Sequence, residues 1–204
     1  MSEIILDMGS GNTCKNKVDI AKLMIDTVAQ MDSHKHKIIF KWQLEMEVAP
    51  PNRILDRDVF EAAYYYAKSK GYPTTSSVFD YPSLQYLLKY EIPFVKIACQ
   101  PDKYWLAGKV PREVPIVLSH DFRGPPHDIF VGTIVMQCVP EYPAKLSDYN
   151  QGNGVFSDHT PGLELWNYYH PGVWEKHFVL EREPDNPDSG IFALTPDQLM
   201  EVIG

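Results

Sequence analysis

The chain has 204 residues, of which 44% are hydrophobic and 23% charged, and a formal net charge of −8 at pH 7. This length suits one domain, and the acidic balance argues against a general nucleic-acid or membrane binder, because anionic partners need a basic face. The three cysteines lack paired spacing, the N-terminus is too short and acidic for a secretory signal, and no apolar run approaches the roughly 20 residues needed to span a bilayer. We therefore expect a cytoplasmic protein.

Short β-prone runs recur along the chain and alternate with helical stretches. The runs are IILDM (4–8), KIIFKW (37–42), residues 73–78, FVKIA (94–98), PIVLS (115–119), GTIVMQCV (132–139), GVFS (154–157) and VWEKHF (173–178). Strands that alternate with helices pair in parallel, with the helices covering the sheet. Eight of them predict a compact α/β fold, a closed (β/α)8 TIM barrel in a single domain over residues 1–204. A doubly wound open sheet is the alternative.

Helix signals fall between several of these runs. Apolar residues at spacings of three and four mark one helix over 20–31, residues 59–70 form a second, and Pro82 suits the first turn of a third. Thr195 and Gln198 form a capping box for the last helix. The segments after strands four, five and six are rich in proline and glycine and lack a helical stripe. Because such barrels typically take about 250 residues, we expect the helices there to be shortened or missing.

Polar side chains collect at the predicted carboxyl ends of the strands, where barrels of this kind carry their catalytic groups. They are Asp7, Lys41, Gln43, Ser76, Ser77, Lys96, Ser119, His120, Tyr142, Ser157, Asp158, His159 and His177. Lysines and serine hydroxyls bind phosphate or carboxylate, and histidines bind metal ions. A single strand-end lysine is more often a solvated rim residue, and a lone histidine is more often structural. The prediction of an anion site beside a metal site therefore depends on the convergence of the whole set.

Several motifs occur in an order that resembles a known family. They are KWQ (41–43), residues 71–100 from GYPTTSS to KIACQ, CVPEYPA (138–144), SDHTPG (157–162), EKHFVLE (175–181) and a carboxylate, Asp188, in a proline-rich loop. Together they resemble the catalytic barrel of the N-acetylneuraminate (sialic acid) synthase family. The resemblance is to the barrel only and includes no counterpart of the family's C-terminal antifreeze-like domain.

The resemblance implies an enzyme that condenses phosphoenolpyruvate with N-acetylmannosamine or a related aldose, giving a sialic-acid-like 2-keto-3-deoxy sugar acid and phosphate. It implies a divalent metal, Mn²⁺ first with Mg²⁺ or Co²⁺ as alternatives, held by His159 and His177. The implied phosphoenolpyruvate ligands are Lys41, Ser77, Lys96, Ser119 and Ser157, and the residues facing the sugar are Gln43, Tyr142 and Asp188. Asp7 stands where the family has a glutamate. Ser76 and Asp158 are added as substrate-binding candidates from their strand ends.

Some positions depart from the family pattern. Cys99 stands where the family has a serine, Pro101 where it has a glutamate, and Pro140 where it has an asparagine. The residues implied for phosphoenolpyruvate, the donor substrate, therefore match the family pattern better than those around the acceptor sugar. His120 is either a replacement acid–base group or an ordinary polar residue of the rim.

Two other readings stay open at this stage. A barrel aldolase or lyase would use Lys41 or Lys96 as a Schiff base, which needs a lysine of depressed pKa in an apolar pocket. A barrel without catalytic activity would bind only a ligand or a protein partner, since fold alone does not establish activity. No nucleic acid or membrane is expected as a partner, and the many aromatic residues would suit a homodimer.

Overall fold

A computed structural model describes residues 1–122, 132–150 and 152–204 and contains a closed barrel of eight parallel strands in chain order. The strands are β1 (Glu3–Gly9), β2 (Lys37–Leu44), β3 (Thr74–Val78), β4 (Val95–Ile97), β5 (Ile116–His120), β6 (Thr133–Cys138), β7 (Val155–Asp158) and β8 (Val173–His177). Pairing of β1 with both β2 and β8 closes the ring. The predicted TIM barrel is confirmed, and the open-sheet alternative is wrong.

The helices of the layer around the barrel differ in length. The α-helices are α1 (Val18–Met31), α2 (Arg57–Ser69), α3 (Tyr81–Leu87), α4 (Glu164–Tyr169) and α5 (Pro196–Ile203). After β4 and β6 the chain forms 3₁₀ helices instead, Pro101–Lys109 and Leu146–Asp148, as the missing helical stripe predicts. The shortening expected after β5 falls on residues 123–131, outside the described residues. Within the described ranges, no helix combines the length and the apolar character needed to cross a membrane.

Capping side chains define where two of these helices begin. The side chain of Asp80 accepts a hydrogen bond of 2.7 Å from the backbone N–H of Ser83, with Pro82 in the first turn of α3. At α5 the side chain of Gln198 accepts one of 3.2 Å from the backbone N–H of Thr195. Both caps satisfy helix-terminal N–H groups that have no partner within the helix. These helices therefore begin where their sequences predict.

Two apolar layers lie on opposite faces of the sheet, because successive side chains of a strand alternate between its faces. The outer layer joins the sheet to the helices and includes the fully buried Trp42 and Trp174. The inner layer is a separate cluster inside the barrel. It consists of Ile5, Ile39, Phe94, Val117 and Met136, with Val155 and Val173 packed against it.

This inner layer is the floor of the barrel mouth. Two residues further along the same strands, on the same face, come Asp7, Lys41, Lys96, Ser119, Cys138, Ser157 and Glu175. The two-residue period of the strands thus stacks a polar layer directly on an apolar one. The apolar floor fixes the depth at which the polar groups sit and separates them from the other end of the barrel.

Replacing a floor residue should cost far more stability than replacing an exposed residue of the same type near the start of a strand. Ile39 is fully buried, whereas Ile134 on β6 is 48% exposed. We expect Ile39→Ala to lower the free energy of unfolding by about 2–5 kcal/mol and Ile134→Ala by less than about 1 kcal/mol. Urea denaturation of the two variants beside the wild type measures both values. Equal losses would contradict an inner layer that supports the mouth.

Candidate active site at the mouth of the barrel

A cavity of about 440 Å³ opens at the carboxyl ends of the strands. This is the end at which barrels of this fold carry active sites. Of the residues predicted from the sequence, the cavity is lined by Asp7, Lys41, Gln43, Ser77, Lys96, Ser119, Tyr142, Ser157, His159, His177 and Asp188. The structure therefore brings eleven of the fourteen candidates to one place.

Two buried lysines form the centre of the cavity wall. The Nζ atom of Lys41 lies 2.7 Å from Oδ2 of Asp7 and 2.8 Å from Oγ of Ser77. The Nζ atom of Lys96 lies 2.8 Å from Oγ of Ser119. The lysine side chains are only 2% exposed. Each ammonium group thus has a serine hydroxyl beside it, an arrangement suited to binding an anion.

Opposite charges keep Lys41 and its partner Asp7 ionised although both are buried. Burial lowers the pKa of Lys41, but the charges of Asp7 and Glu175 outweigh it, and the pKa lies above the usual value. Burial likewise raises the pKa of Asp7, but Lys41 and His177 outweigh it, and this pKa lies below the usual value. At neutral pH, the cavity therefore holds an ammonium group and a carboxylate in direct contact.

Glu175 connects the two lysines and was missed by the sequence analysis. Its Oε1 atom accepts a hydrogen bond of 3.1 Å from Ser157 and lies 3.3 Å from Nζ of Lys96 and 3.8 Å from Nζ of Lys41. Its Oε2 atom is buried and has no hydrogen-bond donor among the described residues. A sequence signal for it existed, because Glu175 precedes His177 by two residues on β8 and must share its face.

Two histidines lie beside the lysines, with ring centroids 5.8 Å apart. Nδ1 of His159 donates a hydrogen bond of 2.7 Å to the carbonyl oxygen of Val139, so that Nε2 is the nitrogen left for a ligand. Burial and the nearby His177 hold the pKa of His159 well below its usual value, so the ring is neutral. Nε2 of His177 lies 3.5 Å from Oδ2 of Asp7.

The histidine pair fits a metal ion with few protein ligands. Nδ1 of His177 is buried without a hydrogen bond in the described part of the chain, and it lies 4.0 Å from Oδ1 of Asp188. The described residues contain no group of three or more His, Cys, Asp or Glu arranged to hold a metal. A metal here would take two imidazoles from the chain and its remaining ligands from substrate or water, which is typical of open catalytic sites.

Three candidates from the sequence do not line the cavity, and they are corrections. Ser76, His120 and Asp158 each neighbour a residue that lines it, so strand alternation turns their side chains to the outer face of the sheet. The hydroxyl of Ser76 donates to the carbonyl oxygen of Ser77 at 2.8 Å. His120 is stacked on Tyr104, with 5.9 Å between ring centroids, and its Nδ1 accepts from the backbone N–H of Phe122.

Asp158 forms a buried ion pair behind the barrel wall. Its Oδ2 atom accepts hydrogen bonds of 2.9 Å from Nζ of Lys176 and from Nε1 of Trp174. Its Oδ1 atom accepts from the backbone N–H and the hydroxyl of Thr160. With both oxygens bonded outside the cavity, Asp158 stabilises the end of β7 and is not placed to contact a substrate.

Loop residues form the outer wall of the cavity. Oδ2 of Asp188 accepts hydrogen bonds from the backbone N–H and the hydroxyl of Ser10, at 3.1 and 2.9 Å, and from the hydroxyl of Thr13. Nε2 of Gln43 donates to Oδ2 of Asp7 at 3.0 Å. This wall also contains residues that the sequence analysis did not single out as site residues, namely Ser10, Glu45, Asn52 and Gln100. They come from different loops, and no spacing in the sequence indicates that they meet.

The three departures from the family pattern lie around the same mouth. Cys99 lines the cavity together with Cys138. Pro101 begins the 3₁₀ helix after β4, and Pro140 is exposed after β6. The serine, glutamate and asparagine of the pattern are therefore replaced here by a thiol and two residues without a donor.

Comparison with known proteins gives similarity of fold. No family model matches the chain, and no curated protein matches its sequence. Its fold is similar to that of an N-acetylneuraminic acid (sialic acid) synthetase from Leptospira borgpetersenii serovar Hardjo-bovis in complex with citrate. The TM-score is 0.75 at 21% identity, and the match covers 98% of this chain and 80% of that one.

Two further solved structures have the same fold. A spore coat polysaccharide biosynthesis protein from Bacillus subtilis gives a TM-score of 0.75 at 19% identity, covering 99% of this chain and 66% of that one. A phospho-2-dehydro-3-deoxyheptonate aldolase (DAHP synthase) from Thermotoga maritima gives 0.62 at 11% identity, covering 99% and 67%. The chain thus spans about two thirds of the length of these two proteins, and identities this low establish the barrel fold alone.

The carboxyl group of Glu45 should titrate near neutral pH. Burial, together with the charges of Asp80 and Asp188, raises the pKa of Glu45 from 4.5 to about 7. Because the folded protein then binds the proton more tightly than the unfolded chain does, this group's contribution to stability falls as the pH rises from about 4.5 to about 7. We expect the ¹³C carboxyl resonance of Glu45 to show a midpoint near pH 7.

Asp80→Asn is the matched variant for this titration, because an asparagine retains an oxygen to cap α3 while the charge is removed. The midpoint of Glu45 should move to lower pH in this variant. A wild-type midpoint near 4.5, or no movement in the variant, would contradict the crowding of carboxylates on this wall.

Proposed function

We propose that the protein condenses phosphoenolpyruvate with an aldose, N-acetylmannosamine or a related sugar, in a reaction that depends on a divalent metal. The products are a sialic-acid-like 2-keto-3-deoxy sugar acid and phosphate. The observation that carries the proposal is a pair of buried ammonium groups, each beside a serine hydroxyl, next to two histidines in one cavity. The fold shared with an N-acetylneuraminic acid synthetase and a DAHP synthase supports it.

The donor side is assigned to the strands. Lys41 and Lys96 provide two fixed positive charges for the phosphate and carboxylate of phosphoenolpyruvate, and charge-assisted hydrogen bonds of this kind are about twice as strong as neutral ones. Ser77, Ser119 and Ser157 supply hydroxyl donors at the same depth. On the acceptor side, Gln43, Tyr142 and Asp188 would contact the sugar hydroxyls.

His159 and His177 would hold the metal, with Mn²⁺ the first candidate and Mg²⁺ or Co²⁺ the alternatives. The hydrogen bond to Val139 fixes the tautomer of His159 and leaves its Nε2 lone pair available to a metal ion. A bound divalent cation would polarise the carbonyl group of the acceptor aldehyde. Imidazole ligands suit several divalent metals, so the choice of ion is left to the assay below.

The reaction forms a bond between C3 of phosphoenolpyruvate and the aldehyde carbon, whose oxygen takes up a proton and becomes a hydroxyl. Water adds to C2, the C2–O bond to phosphate breaks, and C2 becomes the ketone of the product. Lys41 and Lys96 would stabilise the anionic groups from fixed positions above the apolar floor of the cavity. Asp7 holds Lys41 in place through their 2.7 Å contact.

A Schiff-base mechanism is disfavoured by the surroundings of the lysines. The raised pKa of Lys41 leaves it protonated, and an ammonium group is not a nucleophile. Lys96 is paired with Glu175. Borohydride treatment with a ketoacid or an aldose should therefore trap no covalent adduct. A cytoplasmic location and a homodimer remain predictions from the sequence.

The experiment that tests the function follows phosphate release from phosphoenolpyruvate in the presence of Mn²⁺, across a panel of aldoses that includes N-acetylmannosamine. Release that requires both an aldose and His177, as judged with His177→Ala, would establish the reaction and identify the acceptor. The absence of release with every sugar, together with a failure of the protein to bind phosphoenolpyruvate, would leave a barrel without this activity.

Two adjacent serines on β3 provide a matched test of the donor site. Ser77 lines the cavity, whereas Ser76 does not and bonds to backbone. We expect Ser77→Ala to raise the KM for phosphoenolpyruvate by about tenfold or more, because a hydrogen bond to a charged group contributes about 1.5–3 kcal/mol. Ser76→Ala should change it by less than about twofold. Equal effects of the two variants would place phosphoenolpyruvate elsewhere.

A further inference from the structure

Glu175 places a carboxylate between the two ammonium groups of the proposed phosphoenolpyruvate site. Among the described residues it is the only carboxylate that forms an ion pair with Lys96, and it shares Lys41 with Asp7. Two buried ammonium groups without counter-ions would carry a desolvation cost of several kcal/mol each. In the free protein, Glu175 therefore compensates the charges that make the site able to bind an anion.

The same carboxylate must oppose the binding of an anion. A phosphate group that contacts both lysines would lie within a few ångströms of Oε1 of Glu175, since that oxygen is 3.3 Å from one Nζ and 3.8 Å from the other. Like charges at such distances repel strongly in a buried site. The affinity for an anion is then the difference between attraction by two lysines and repulsion by one glutamate.

A second observation separates Glu175 from a purely structural ion pair. The Glu175 side chain is only 6% exposed, and its buried Oε2 atom accepts no hydrogen bond from the described residues. A buried carboxylate oxygen without a donor is costly, and native structures contain few of them. An isosteric glutamine would keep the contact from Ser157 but would place an NH2 group, with two N–H donors, at the position of Oε2. The unpaired oxygen shows that the contacts of the described residues do not fully satisfy Glu175 as a structural ion pair.

We propose that Glu175 is a resident counter-ion of the anion site, a positioning residue that holds Lys41 and Lys96 in the free protein and weakens the retention of released phosphate. The inference rests on the proposed function and adds a role in product release to it. Phosphoenolpyruvate displaces the glutamate charge from the lysines on binding, and the glutamate recovers them as phosphate leaves. No covalent step is assigned to Glu175.

The test measures the dissociation constants of inorganic phosphate and of phosphoenolpyruvate by calorimetry, without an aldose, for the wild type and Glu175→Gln. The variant keeps the size of the side chain and removes its charge. We expect its dissociation constant for phosphate to fall by about tenfold or more, because a unit charge a few ångströms away in a medium of effective permittivity about 20 is worth at least one factor of ten. A structural role alone predicts weaker or unchanged binding.

Two further variants complete the test. Glu175→Asp withdraws the charge by one methylene and should bind phosphate with intermediate affinity, which gives a reading even where Glu175→Gln does not fold. Glu91→Gln removes an exposed carboxylate that pairs with Lys68 and does not line the cavity, and it should change phosphate affinity by less than about threefold.

The outcomes separate this inference from the proposed function. Phosphate affinity that rises from the wild type through Glu175→Asp to Glu175→Gln supports the counter-ion role. Wild-type binding that is unchanged or weakened in Glu175→Gln and Glu175→Asp overturns the role and leaves the proposed function standing. A wild type that binds neither phosphoenolpyruvate nor phosphate overturns both.

Discussion

Two ammonium groups buried inside the barrel are the constraint on which the rest of the site depends. Lys41 and Lys96 are 2% and 1% exposed, and a charge at that depth persists only where other groups compensate it. Asp7 and Glu175 supply the negative charge, Ser77 and Ser119 accept hydrogen bonds from the lysines, and Ser157 donates one to Glu175. In the free state, the two ammonium groups are therefore compensated by carboxylates of the same cavity.

Strand register explains why these groups meet. Asp7 is paired with both Lys41 and His177 across neighbouring strands, and Ser77 is paired with Lys96. In a closed parallel barrel, the same register that buries the floor therefore sets the polar layer at one height. The barrel and the strand-end residues could be predicted because both follow from the order of short apolar runs and from where each run ends.

The errors of the sequence analysis have one physical origin. At three strand ends, two adjacent polar residues were both assigned to the site, whereas alternation admits only one, as Ser119 and His120 illustrate. The floor residues could have shown which of the two adjacent residues faces the cavity. Val117 faces inward, so Ser119, two residues later on the same strand, must face inward too. Glu175 follows from Val173 by the same rule. Ser10 and Asn52 could not have been found in this way, because they reach the cavity through loops whose course no local periodicity determines.

In the proposed reaction, the groups assigned to phosphoenolpyruvate all lie on strands, whereas those assigned to the sugar are Gln43 on β2 and two residues outside the strands, Tyr142 and Asp188. Lys41, Ser77 and Lys96 stand on strands whose spacing is fixed by backbone hydrogen bonds, so their positions relative to one another are rigid. Asp188, in contrast, is held on a loop by hydrogen bonds from Ser10 and Thr13, which lie on another loop. Loops tolerate substitution far better than paired strands do. The departures at Cys99, Pro101 and Pro140 all lie beyond strand ends and leave the lysine pair intact. Under the proposed function, a barrel built in this way would be able to change the sugar it accepts without rebuilding the site for phosphoenolpyruvate.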